Sequence, residues 1–106
     1  MTSQGTAHGR FARAIRNRNL RNAEMAAREL GGLSLSDALD LTLLIREADR
    51  WRFERAAVRW LERFIEERNP TLTELGLACS ALAEVGAVGD ASLHDLLRKR
   101  CTTSPG

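Results

Sequence analysis

Apolar residues recur along this chain at helical spacing, in six blocks separated by polar or glycine-containing breaks. Phe11, Ala14 and Ile15 cluster on one side of a first helix over about 8–18, with Arg10, Arg13 and Arg16 opposite. Asn17-Arg18-Asn19 breaks the pattern, and Asn19 is placed to cap a second helix over 20–30. Leu20, Ala23, Ala26, Ala27 and Leu30 share one face of it, and Glu24 with Arg28 has the spacing of an intrahelical ion pair. Met25 falls on its polar side, and Gly31-Gly32 stops it. A third helix starts near Ser34 or Ser36 and ends near 48, with Ser34 and Asp37 at capping-box spacing. Its leucines leave only a narrow polar strip, which predicts a central position.

The fourth helix, about 50–68, is the longest. Trp60, Phe53, Phe64, Ala57, Leu61, Ile65 and Val58 span half its wheel, and arginines and glutamates fill the other half. Asn69-Pro70 ends it, because a residue before proline avoids the helical region. Thr71-Leu72-Thr73-Glu74 is a capping box opening a fifth helix, which is poor in polar residues and expected to be central. A sixth is expected over about 91–100, with Leu93, Leu96 and Leu97 facing inward. The pattern predicts an all-α domain over 8–101, its six helices paired as three antiparallel hairpins, either a compact bundle or a short α-solenoid. Residues 1–7 and 102–106 read as disordered tails.

Composition agrees: 16 Leu and 15 Ala against six Val plus Ile, in 106 residues, favour helix over strand. No run approaches the length of a membrane span, and the polar start carries no apolar signal region. Cys79, in the apolar stretch 77–82, reads as a small buried hydrophobe, and Cys101 lies in the tail. Two such cysteines make no disulfide framework, so a reducing cytoplasm is the expected compartment.

Residues 11–30 and 41–60 share five identities at an offset of 30: Ile15/Ile45, Arg16/Arg46, Glu24/Glu54, Ala26/Ala56 and Ala27/Ala57. With the stretch 18–27, they make residues 8–68 resemble helical-hairpin repeats of the tetratricopeptide or HEAT kind, although the full tetratricopeptide pattern is not present. The resemblance implies protein binding by a curved helical face and carries over no individual site residue.

Little in the chain announces catalysis. There is no phosphate-binding loop. Ser92, His94 and Asp95 diverge around a helix, and Cys79, Cys101 and His94 lack zinc-site spacing. No catalytic, metal or cofactor residue is therefore assigned, and no cofactor is expected. The arginines are more informative, being fifteen of the sixteen cations. Arg10, Arg13, Arg16, Arg18 and Arg21 fall within twelve residues, and no acid precedes Glu24. Arg52, Arg55, Arg59 and Arg63 make a second stripe diluted by Glu62, Glu66 and Glu67. Trp51 lies at the edge of the apolar arc, where it packs at the rim of the core or stacks on Arg55. The expected function is a non-enzymatic helical adaptor whose partner, another protein or a second copy, meets Arg10, Arg13, Arg16, Trp51, Arg55 and Arg59. The alternative is a small nucleic-acid-binding regulator using the basic first helix and the helix end Arg98-Lys99-Arg100. A helix-turn-helix over the last two helices is disfavoured by the turn 86–89.

Overall fold

The computed structural model describes residues 6–83. Five helices occupy them: α1 (Ala7–Arg16), α2 (Leu20–Leu30), α3 (Leu35–Ala48), α4 (Arg50–Arg68) and α5 (Leu72–Ala83). There is no strand among the described residues. The expected sixth helix, with His94 and Arg98-Lys99-Arg100, lies outside them, as do Cys101 and the tail 102–106. No described helix is long and apolar enough to cross a membrane.

Each helix end follows from its local chemistry. Thr6 caps α1 by accepting from the Gly9 N–H at 3.0 Å, so this helix starts and ends slightly earlier than its periodicity predicts. At its other end Arg18 takes a left-handed conformation (φ 58°). The Arg18 N–H then donates to the Ile15 carbonyl (3.1 Å) and the Asn19 N–H to that of Ala14 (2.8 Å), the paired bonds of a Schellman stop. Asn19 caps α2, its side-chain oxygen accepting from the Asn22 N–H at 3.1 Å. Gly31, with φ 78°, ends that helix. Ser34, not Ser36, caps α3 and accepts from the Asp37 N–H at 3.0 Å. The Asp37 carboxylate meets His8 Nε2 at 3.1 Å, which ties the start of α1 to α3. Asn69 stops α4 in the left-handed region (φ 47°), a conformation asparagine tolerates. The capping box at α5 forms reciprocally: Thr71 N–H donates to Glu74 Oε1 (2.9 Å) and Glu74 N–H to Thr71 Oγ1 (3.1 Å).

The described residues fall into two compact units that divide after Ala56, within α4. In the first, Phe11 and Ala14 of α1 pack with Ala23 and Ala26 of α2 and Leu44 of α3. Ile15, Leu20, Leu30, Leu33 and Leu41 close around them. Three alanines at the contact let the helix backbones approach closely, and Phe11 fills the space they leave. The central place expected for α3 holds: six of its residues are buried, and its one buried polar group, the Thr42 hydroxyl, donates back to the Ala38 carbonyl at 2.8 Å. Arg46 sits over the Phe53 ring at 5.8 Å. In the second unit Trp60 and Phe64 are buried and stacked, with centroids 5.2 Å apart. Ala78, Ala81 and Leu82 are buried on α5. Leu72 is 87% exposed, and Leu77 and Cys79 are exposed as well, so among the described residues α5 is apolar without being enclosed, and Cys79 is not a core residue.

Candidate functional site

The packing of α1 on α2 leaves an open groove of about 300 Å³ along their outer side. Each helix contributes one stripe to it. On α1 and its stop, Arg10, Arg13 and Asn17 follow one another at spacings of three and four. On α2, Asn22 is three and four residues from Met25 and Ala26, and those two are four and three from Glu29. Those spacings place side chains on one face, one above the next. Ala14 and Ala26 form the apolar floor, and Asn19 sits at the turn.

The groove is polarised along its length. At one end Arg10 is bonded to Glu29, so a cation and an anion there cancel and join the two helices. Toward the turn Arg13 is exposed and makes no ion pair among the described residues. Asn17, Asn19 and Asn22 add amide groups on that side, and the first turn of α2 carries no acid to offset its positive end. Met25, just over half exposed, supplies an apolar, adaptable wall. The lining contains no histidine or cysteine, and no group of three or more metal-binding side chains exists among the described residues. What lines the opening is a guanidinium, several amides and a thioether.

Of the residues expected to contact a partner, the structure brings two, Arg10 and Arg13, into this groove. Arg16, the last residue of α1, is exposed but does not line it. Trp51, Arg55 and Arg59 lie on α4. Trp51 is 96% exposed, which overturns its expected place at the core rim, and the cation–π contact that forms nearby joins Arg46 and Phe53 rather than Arg55 and Trp51. The acid-free arginine run is partly neutralised by acids from distant positions. Arg18 pairs with Glu47 at 2.5 Å as Arg10 does with Glu29. Glu24 turns to Arg52 of α4, not to Arg28 one turn on. That bond raises the pKa of Arg52 above the usual arginine range. Arg52 also lies 3.8 Å from Asp49, and Arg63 bonds Glu67 at 2.7 Å, so the second stripe keeps Arg55 and Arg59 as its exposed, unpaired cations among the described residues. Asn22 and Glu29 were not expected at a site, and Asn17 and Asn19 only as helix-boundary residues. Their signal is weak but present: three asparagines within six positions flank an arginine helix, more than one turn requires. Comparison with protein-family models, with curated proteins and with solved structures returned no match to this chain.

Proposed function

We propose that this protein is a non-enzymatic helical adaptor that binds another protein, and that the α1–α2 groove receives an acidic side chain of that partner beside an apolar one. The observation that carries this reading is the gathering of unpaired Arg13, three asparagines and exposed Met25 around one opening. A carboxylate meets the guanidinium and amides, and a neighbouring aliphatic group meets Met25. The resemblance of residues 8–68 to helical-hairpin repeats points the same way, since such repeats bind proteins on a helical face. The alternative, nucleic-acid binding through the first helix, is weakened by two of its arginines. Arg10 and Arg18 already hold carboxylates.

The test is fluorescence anisotropy of the whole chain against two probes, a labelled peptide of alternating glutamate and leucine and a mixed-sequence oligonucleotide, at about 50 and about 200 mM salt. Peptide binding that Arg13→Ala with Arg16→Ala weakens roughly tenfold, at unchanged melting temperature, supports the adaptor. Peptide binding indifferent to that double substitution sinks the groove assignment. Oligonucleotide binding that falls steeply with salt replaces it by the regulator.

A further inference from the structure

The two walls of the α1–α2 groove match in pairs about the turn that joins them. Arg10 faces Glu29, Arg13 faces Met25 and Ala26, and Asn17 faces Asn22, the members of each pair lying equally far from the turn to within one residue. The bond between Arg10 and Glu29 shows that this register holds at the far end. Successive pairs are three or four residues apart, about 5 Å along the axis. The groove thus has an ion-paired end, a middle with a cation opposite a thioether, and a turn end walled by two amides. Arg13 is the lining cation that makes no ion pair among the described residues, so charge complementarity places an acid at the middle.

The two amides say what form that acid's chain takes. Asn17 and Asn22 are exposed, and neither side chain makes a hydrogen bond among the described residues. Asn19 differs, because its side-chain oxygen already accepts from the Asn22 N–H at 3.1 Å. Each of the other two amides offers a carbonyl oxygen and an NH2 group. A carboxylate accepts only and leaves both amide oxygens unanswered. A peptide unit carries one N–H and one C=O, so an amide side chain bonds it twice. A helical partner keeps those groups for its own turns. An extended segment keeps them free, and at about 3.3 Å per residue it covers one step of the groove in one or two residues. We infer, resting on the adaptor reading above, that the groove holds its partner as an extended acidic and aliphatic segment. The segment's main chain passes between Asn17 and Asn22, and one or two residues away its acid meets Arg13 and its aliphatic side chain meets Met25.

Fluorescence anisotropy of the full chain against three labelled peptides tests this. They are a peptide of alternating glutamate and leucine, the same peptide N-methylated at every residue, and a stapled helix that carries glutamate and leucine on one face. N-methylation keeps the side chains and their charge and removes the main-chain donors. The plain peptide is expected to bind roughly tenfold more tightly than either other form. Asn17→Ala with Asn22→Ala weakens the plain peptide roughly tenfold and the N-methylated one less than about twofold. Both substitutions spare the cap of α2, to which Asn22 gives only its backbone N–H, so the melting temperature stays unchanged. An N-methylated or helical peptide that binds as tightly as the plain one overturns the extended segment, as does an asparagine variant that weakens the plain and N-methylated peptides alike. If Arg13→Ala with Arg16→Ala still weakens binding in that case, the adaptor reading survives without it. A plain peptide that does not bind overturns both.

Discussion

Three residues hold the left-handed conformation, and they are not equivalent. Gly31 adopts it without a side chain, and a Cβ placed there meets nothing within 4 Å. Gly31→Ala is therefore expected to cost about 1 kcal/mol from backbone conformation alone, read as a lower midpoint in urea. Arg18 adopts it against its preference, because the stop between α1 and α2 needs that turn. Its ion pair with Glu47 is exposed and offsets little of the strain. Arg18→Gly should raise stability by roughly 0.5–1 kcal/mol, and a lower midpoint would refute the view that this stop is strained. Asn69 sits between the two, as asparagine tolerates the region. Glycine at 31 was legible as a stop in the sequence. The conformations of Arg18 and Asn69 were not, since residue type alone does not mark either position for positive φ.

At the scale of elements, the α1–α2 contact depends on small side chains. Ala14, Ala23 and Ala26 are buried between the helices, while Ala12, two positions from Ala14, is exposed. Ala23→Leu forces the backbones apart and is expected to cost about 1–3 kcal/mol, whereas Ala12→Leu is close to neutral; thermal melts of the pair separate packing from helix propensity. Phe11→Ala removes the ring that fills the gap and should cost about 3–5 kcal/mol. The start of α5 is more local: Thr71→Ala removes one of two reciprocal capping bonds and is expected to cost about 1 kcal/mol. The starts of the five described helices were legible almost to the residue, because their caps are short-range. Ser34, Asn19 and Thr71 each satisfy an N–H three positions on. The enclosure of α5 was misjudged, because apolar content shows what a helix wants to bury and not whether a neighbour covers it.

At the scale of the molecule, charge is redistributed by ion pairs between residues 19 to 29 positions apart. Arg10, Arg18 and Arg52 are engaged, and Arg13, Arg16, Arg55 and Arg59 make no ion pair among the described residues. The Arg52 pair has a defined pH window. A pKa raised by the bond to Glu24 contributes stability that is complete below the ordinary arginine pKa and lost only as pH rises through the raised value. The stability difference between the wild type and Arg52→Ala should accordingly be the same at about pH 7 and about pH 10, measured by urea unfolding.

The sequence by itself determined the five described helices, the caps Asn19 and Thr71, the stop at Gly31 and the apolar character of α3. Those follow from interactions within one or two turns, where residue type and spacing are enough. The acid-free arginine run also singled out Arg13, which the groove now contains. Tertiary structure decided what each face meets. It paired Glu24 with Arg52 in place of Arg28, joined His8 to Asp37, brought Asn22 and Glu29 beside Arg13, and left Trp51 in water. The physical reason is range: a hydrogen bond that caps a helix is specified by neighbours in the chain, whereas an ion pair, a groove or an exposed ring depends on which helix lies opposite.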